Sequence, residues 1–126
     1  MREAAVNDGV IDRAALTRLL VAIGGDPQDL DELLEDYRST APSLAAQIRS
    51  AAGSGDLEAL RIAAHTLKSN ARDFGAMRLS SLCEKLERDC RSGAVSDSQS
   101  AAEAIAVEEA AARQALDALS ADDLAD

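Results

Sequence analysis

Apolar residues recur at intervals of three and four along most of this chain, and glycine, proline or aspartate residues separate one such run from the next. Side chains at these intervals lie on one face of an α-helix. The chain also has few of the β-branched runs that strands favour. The sequence therefore predicts an all-α fold.

Start and stop signals divide the chain into five helices. Asp12, Asp26 and Asp56 stand where an aspartate side chain can cap the free N–H groups of a helix. Glycines stand after the first four predicted helices, where a helix commonly ends. The predicted helices are 13–23, 27–52, 57–74 and 76–92, and a polar linker at 94–100 leads into a C-terminal helix placed at about 98–120.

The four longer helices have matched apolar stripes and short connections. This predicts an antiparallel four-helix bundle with an additional short N-terminal helix that caps one end. A chain of 126 residues can build one well-formed core and not a second, so residues 1–126 are expected to form a single domain.

Composition argues against several classes of partner. The formal net charge of −10 disfavours nucleic acid and anionic membranes as partners. No segment approaches the ~20 apolar residues of a membrane-spanning helix, and residues 1–10 lack the apolar stretch of a signal peptide. We therefore expect a cytoplasmic protein. Cys83 and Cys90 are expected to be buried thiols, since on one helix they are too far apart for a disulfide.

The single histidine, His65, lies on the third predicted helix. At ~100° per residue it falls about 140° from the centre of that helix's apolar stripe, so it should face solvent. Its neighbours on that side are an exposed aliphatic residue, three cations and a small polar residue: Ile62, Arg61, Lys68, Arg72 and Ser69. We expect a docking surface with a cationic centre.

The chemistry open to such a histidine is limited. No carboxylate partner is apparent for general acid–base catalysis, and no second histidine or Cys–His arrangement suggests a metal. The absence of a glycine-rich phosphate loop argues against ATP binding. An exposed neutral imidazole is nevertheless a competent nucleophile toward an activated phosphoryl group, and Lys68 could neutralise the phosphoryl oxygens. The alternative is that His65 is an ordinary surface residue.

A motif around His65 resembles the signature of histidine-containing phosphotransfer (HPt) domains. That signature reads roughly A-H-x-L-K-G-S, then G-A, then L-x-x-x-C-x-x-L-E. The matching residues are AAHTLKSN at 63–70, Phe74-Gly75-Ala76, Leu79, Cys83 and Leu86-Glu87. With the Gly24-Gly25-Asp26-Pro27 turn and Ala41-Pro42, the resemblance covers a core of about residues 10–93.

The resemblance implies roles for individual residues. His65 would be the phosphoacceptor, and Lys68 would balance the phosphoryl charge. Ser69 stands where the family usually has a glycine or another small residue that lets a partner approach closely. Glu87 and Arg91 fall where some family members place polar residues near the histidine.

The resemblance also implies a function without a cofactor of its own. The protein would take a phosphoryl group from a response-regulator aspartate and pass it to another receiver domain, without ATP-dependent kinase activity. Mg²⁺ would be bound by the receiver. Expected partners are receiver domains and a sensor or hybrid histidine kinase, and we expect the protein to be a monomer.

Three alternatives remain. The dimerising two-helix core of sensor kinases carries H-E-x-x-[ST]-P, whereas Thr66 follows His65 here and no proline comes later. The phosphoacceptor domain of a chemotaxis-type kinase shares the motif but would receive its phosphoryl group from an ATP-bound kinase domain. A helical adaptor that has lost phosphotransfer would not need His65 and Lys68.

Overall fold

The computed structural model describes residues 10–119. Within this range the chain forms α1 (Arg13–Ala22), α2 (Pro27–Ser54), α3 (Leu57–Asp73), α4 (Met77–Ser92) and α5 (Ser98–Asp117), and no residue lies in a strand. Helices α2 to α5 pack in a ring, with each helix against the next and α5 against α2, while α1 contacts α2 and α3. The predicted all-α antiparallel four-helix bundle with a short additional helix is confirmed.

Aspartate side chains begin four of these helices. Each accepts a hydrogen bond from a backbone N–H in the first turn, as predicted for the first three helices; these residues are Asp12, Asp26, Asp56 and Asp97. The cap at Asp97 starts α5 at Ser98, so the last residues of the predicted linker are helical. The predicted end of this helix, near 120, lies just outside the described range.

The turn between α3 and α4 holds the start of α1. Gly75 has φ +81°, and a Cβ there would lie 2.5 Å from the carbonyl oxygen of Asp12. The N–H of Asp12 donates to the carbonyl of Gly75 at 2.7 Å, and Ile11 beside it is fully buried. Only glycine allows both the left-handed conformation and this close approach.

The core lies between the four long helices. Its largest fully buried side chains include Leu30, Ile48, Leu60, Leu67, Leu79, Ile105 and Leu116. The rings of Tyr37 and Phe74 stack at a tilt, with centroids 4.7 Å apart. Leu57 is 41% exposed because it is the first residue of α3 and lies at the bundle's edge.

Both cysteines are free and buried, as predicted. Burial raises the pKa of the Cys83 thiol to about 12, so this thiol is uncharged at neutral pH. No helix in residues 10–119 combines the length and apolar character needed to cross a bilayer.

Candidate functional site

His65 lies on α3 with its side chain 52% exposed, as the helical spacing predicts. The adjacent Ala64 and nearby Leu67 are fully buried and anchor the opposite side of the helix in the core. The ring does not project freely into solvent, because one of its nitrogens is hydrogen-bonded to a side chain on α4.

The residue on α4 is Glu87, whose side chain is only 3% exposed. Its Oε2 atom lies 2.8 Å from Nδ1 of His65, and its Oε1 atom accepts a hydrogen bond from Nζ of Lys68 at 2.7 Å. A guanidinium nitrogen of Arg91 lies 2.8 Å from Oε2 as an ion pair. We call His65, Lys68, Glu87 and Arg91 the Glu87 cluster. The expectation that the imidazole has no carboxylate partner is therefore wrong.

Sequence spacing explains why Glu87 points inward. It lies four residues after Cys83 and eight after Leu79, both buried on α4, so it shares their stripe. A carboxylate on an apolar stripe must be paired, because an isolated buried charge is very costly. The sequence thus indicates that Glu87 lies on the apolar stripe of α4 and needs a partner, but it does not indicate which side chains on α3 pair with its carboxylate.

A second contact fixes α4 against α3 at the same level. The hydroxyl of Ser80 is buried and donates to the backbone carbonyl of Lys68 at 3.1 Å. Helices α3 and α4 make the most extensive helix–helix contact in the described part of the chain. The geometry of the Glu87 cluster is thus set by a well-packed helix pair.

The Glu87 carboxylate is ionised at neutral pH. The hydrogen bond from Lys68 lowers its pKa below the ordinary value, burial opposes this, and the bond to His65 adds to the lowering. An ionised carboxylate can only accept hydrogen bonds, so Nδ1 of His65 must donate. In the neutral ring Nε2 then carries the free lone pair.

The other predicted site residues lie on α3 outside this cluster. Arg61 donates two hydrogen bonds to Glu58, of 3.1 and 2.7 Å, one turn earlier. Ile62 is 51% exposed, Ser69 is half-buried, and Arg72 is exposed. Three cations around the imidazole were expected from α3, but among them only Lys68 shares a hydrogen-bond partner with His65. The second cation of the cluster, Arg91, comes from α4.

No group of three or more histidine, cysteine or carboxylate side chains within residues 10–119 is arranged to hold a metal ion. The arrangement instead offers a nucleophilic nitrogen beside two cations and a buried carboxylate. A positioned nucleophile and nearby cations are able to promote transfer of a phosphoryl group.

The family model described as Hpt domain matches residues 32–122, which is most of the chain. The chain belongs to the Hpt domain family. The matched range includes the whole Glu87 cluster and α5, and it leaves out α1. The family carries out histidine phosphotransfer in phosphorelays, and this chain is one of its members. The resemblance seen in the motif around His65 is therefore confirmed.

This Hpt domain has the fold of a solved structure, the histidine-containing phosphotransfer protein B (HptB) from Pseudomonas aeruginosa PAO1. The two chains are 24% identical, and the alignment covers 86% of this chain and 92% of HptB with a TM-score of 0.78. The comparison with curated proteins gives no significant match.

Proposed function

We propose that this Hpt domain accepts a phosphoryl group on Nε2 of His65 from the aspartyl phosphate of a response-regulator receiver domain, and passes it to the aspartate of another receiver. The supporting observation is the hydrogen bond between Nδ1 of His65 and the buried Glu87 carboxylate. It leaves Nε2 of a half-exposed ring as the nucleophile.

The lone pair of Nε2 forms a bond to phosphorus while the bond from phosphorus to the aspartyl oxygen breaks, and its electron pair stays on the departing carboxylate. The Nδ1 proton remains in place, so the ring becomes positively charged. The Glu87 carboxylate, 2.8 Å away, stabilises this charge, and it has the same role in the return transfer.

Lys68 would stabilise the phosphoryl oxygens. Its side chain is only 17% exposed, and its ammonium group is held on the other oxygen of Glu87, one helical turn from His65. A cation held in place before the group arrives needs little reorganisation during transfer. Mg²⁺ would be held by the receiver, and the Hpt domain itself would need no cofactor and have no ATP-dependent kinase activity.

The receiver would dock on the exposed side of α3 around His65. Ile62 would provide an apolar contact and Ser69 would allow close approach. Arg72 would face the acidic pocket of a receiver, as would Arg61 once it exchanges its contact with Glu58 for the partner. The exposed large apolar side chains of the described residues are spread over α1, α3, α4 and α5, which favours a monomer over a dimer with one large apolar interface. The donors would be receivers of regulators or of hybrid kinases in the cytoplasm, supplied by a sensor kinase.

The test is transfer of radiolabelled phosphate from a panel of phosphorylated receivers to the wild-type protein and to His65→Gln. We expect acid-labile, alkali-stable label on the wild type, none on the variant, and loss of the label when a second unlabelled receiver is added. If folded wild-type protein takes no label from any receiver, the proposal fails. Label from an ATP-bound kinase domain alone would favour the chemotaxis-type alternative.

A further inference from the structure

We propose that Glu58 and Arg72 select the receiver domains that can dock at His65. They favour a receiver that carries a cation on one side of its phosphorylated aspartate and an anion on the opposite side. This inference rests on the proposed function, and it gives Glu58 a role of its own.

Glu58 and Arg72 lie at the two ends of one exposed stripe on α3. From Glu58 the stripe continues, at intervals of four, three, four and three residues, through Ile62, His65 and Ser69 to Arg72. Such intervals keep side chains on one side of a helix. At ~1.5 Å per residue, the two charged residues lie roughly 10 Å from His65 in opposite directions along the axis. The residues between them add no carboxylate, ammonium or guanidinium, so the stripe is acidic at one end and basic at the other.

The acidic end presents a carboxylate to the outside. Glu58 accepts two hydrogen bonds from Arg61, of 3.1 and 2.7 Å, and its side chain is 69% exposed, whereas that of Arg61 is only 28% exposed. Each carboxylate oxygen has a second lone pair for another donor. A cation of the receiver can therefore bind Glu58 and take the place of Arg61, which then becomes available to the acidic pocket of the same receiver. A receiver without this cation leaves Arg61 bound to Glu58.

The basic end presents a guanidinium that the rest of the domain does not use. Arg72 is exposed in the last turn of α3 and forms no ion pair with any residue in 10–119. Arg18 and Asp73 border the same groove between α1 and α3, and their opposite charges offset each other. The guanidinium of Arg72 is thus the net charge at this end, and a carboxylate of the receiver can bind it through two hydrogen bonds.

The order of the two charges favours one orientation of the receiver along α3. A receiver turned end to end would bring its cation to Arg72 and its anion to Glu58, and like charges at both places oppose docking. Transfer needs the aspartyl phosphate in line with Nε2 of His65, so a single orientation also serves the reaction. Charges at the edge of an interface act mainly on association, and their effect is therefore expected in KM more than in kcat.

The test measures KM and kcat for transfer from the labelled receiver that transfers best to the wild-type protein. We expect Glu58→Lys and Arg72→Glu each to raise KM about threefold or more, with a smaller change in kcat. Glu58→Gln, which removes the charge without reversing it, should raise KM less than Glu58→Lys. Because the two sites lie far apart, the double reversal should raise KM about tenfold. The double variant keeps the net charge of the wild type, so overall charge cannot cause this increase.

Two matched controls lie away from the stripe. Glu103 on α5 is an exposed glutamate that accepts two hydrogen bonds from Arg49, at 3.1 and 2.6 Å, as Glu58 does from Arg61. Arg78 is an exposed arginine beside the groove between α4 and α5. Glu103→Lys and Arg78→Glu should leave both KM and kcat unchanged.

Two results would overturn the proposal. One is a double variant with the KM of the wild type, and the other is a lower KM for Glu58→Lys, which a simple reduction of the acidic net charge would produce. If receivers label the wild-type protein and either result is obtained, this inference alone fails. If no receiver labels the folded wild-type protein, the proposed function fails and this inference fails with it.

Discussion

Replacing Glu87 with glutamine measures how much of the reactivity of His65 depends on the buried carboxylate. The side chain keeps its size but loses its charge, and its single amide oxygen cannot serve both His65 and Lys68 as the two carboxylate oxygens do, at 2.8 and 2.7 Å. A hydrogen bond to a charged group contributes about 1.5–3 kcal/mol. Because transfer places a positive charge on the ring, most of this contribution is lost in the transition state. At about 1.4 kcal/mol per factor of ten, we expect transfer to slow by roughly 10- to 100-fold.

The assay is rapid-quench transfer from a labelled receiver at saturating concentration, so that docking does not limit the rate. In parallel, ¹⁵N NMR of the His65 ring reports which nitrogen carries the proton. We expect the wild-type ring to be protonated at Nδ1, and Glu87→Gln to contain a larger fraction of the other tautomer. The matched control is Glu84→Gln, which removes one negative charge from an exposed position on the same helix and should leave the rate and tautomer unchanged.

The reasoning would be refuted if folded Glu87→Gln transferred phosphate within twofold of the wild-type rate. A tautomer ratio equal to that of the wild type would refute the positioning role as well. A slower rate with unchanged docking affinity separates this role from a general loss of structure, which would weaken both.

Two further predictions concern stability. Since pairing lowers the pKa of Glu87, its contribution to folding is present above the ordinary glutamate pKa and is lost as the pH falls through the lower folded-state value. Urea unfolding should therefore show a constant difference between the wild type and Glu87→Gln above the ordinary glutamate pKa and a shrinking difference below it. A difference that stays constant at acid pH would contradict this. Gly75→Ala should cost about 2–4 kcal/mol, because its Cβ would lie 2.5 Å from the carbonyl oxygen of Asp12. Gly55→Ala, with φ +72° and no atom within 4 Å of the new Cβ, should cost only about 1 kcal/mol, and equal costs would show that the contact is unimportant.

The fold could be predicted from local signals because most of them act within one helix. The caps at Asp12, Asp26 and Asp56 depend only on neighbouring backbone N–H groups, and the apolar spacing places each helix's inner face. The start of α5 was less clear, because the serines and aspartate around Asp97 are as typical of a loop as of a capped helix.

The site could be predicted only in part. The exposure of His65 follows from the spacing on α3, whereas its bond to Glu87 depends on how α3 and α4 are rotated against each other. A helical wheel describes the faces of one helix and gives no information about how that helix is rotated against its neighbour. The pairing of Arg61 with Glu58 is a local contact three residues apart, and it shows why counting cations on one face overstated the positive charge around His65.

All four members of the Glu87 cluster lie on α3 and α4, two consecutive helices that a short turn joins. The reacting group, its positioning carboxylate and both cations are therefore inherited together in one uninterrupted stretch, Leu57–Ser92. Over evolutionary time, the outer faces of α2 and α5 can change while the chemistry is retained, provided that their inner faces still support the α3–α4 pair. Changes on the outer faces of α2 and α5 can thus alter much of this protein's surface without rebuilding its site.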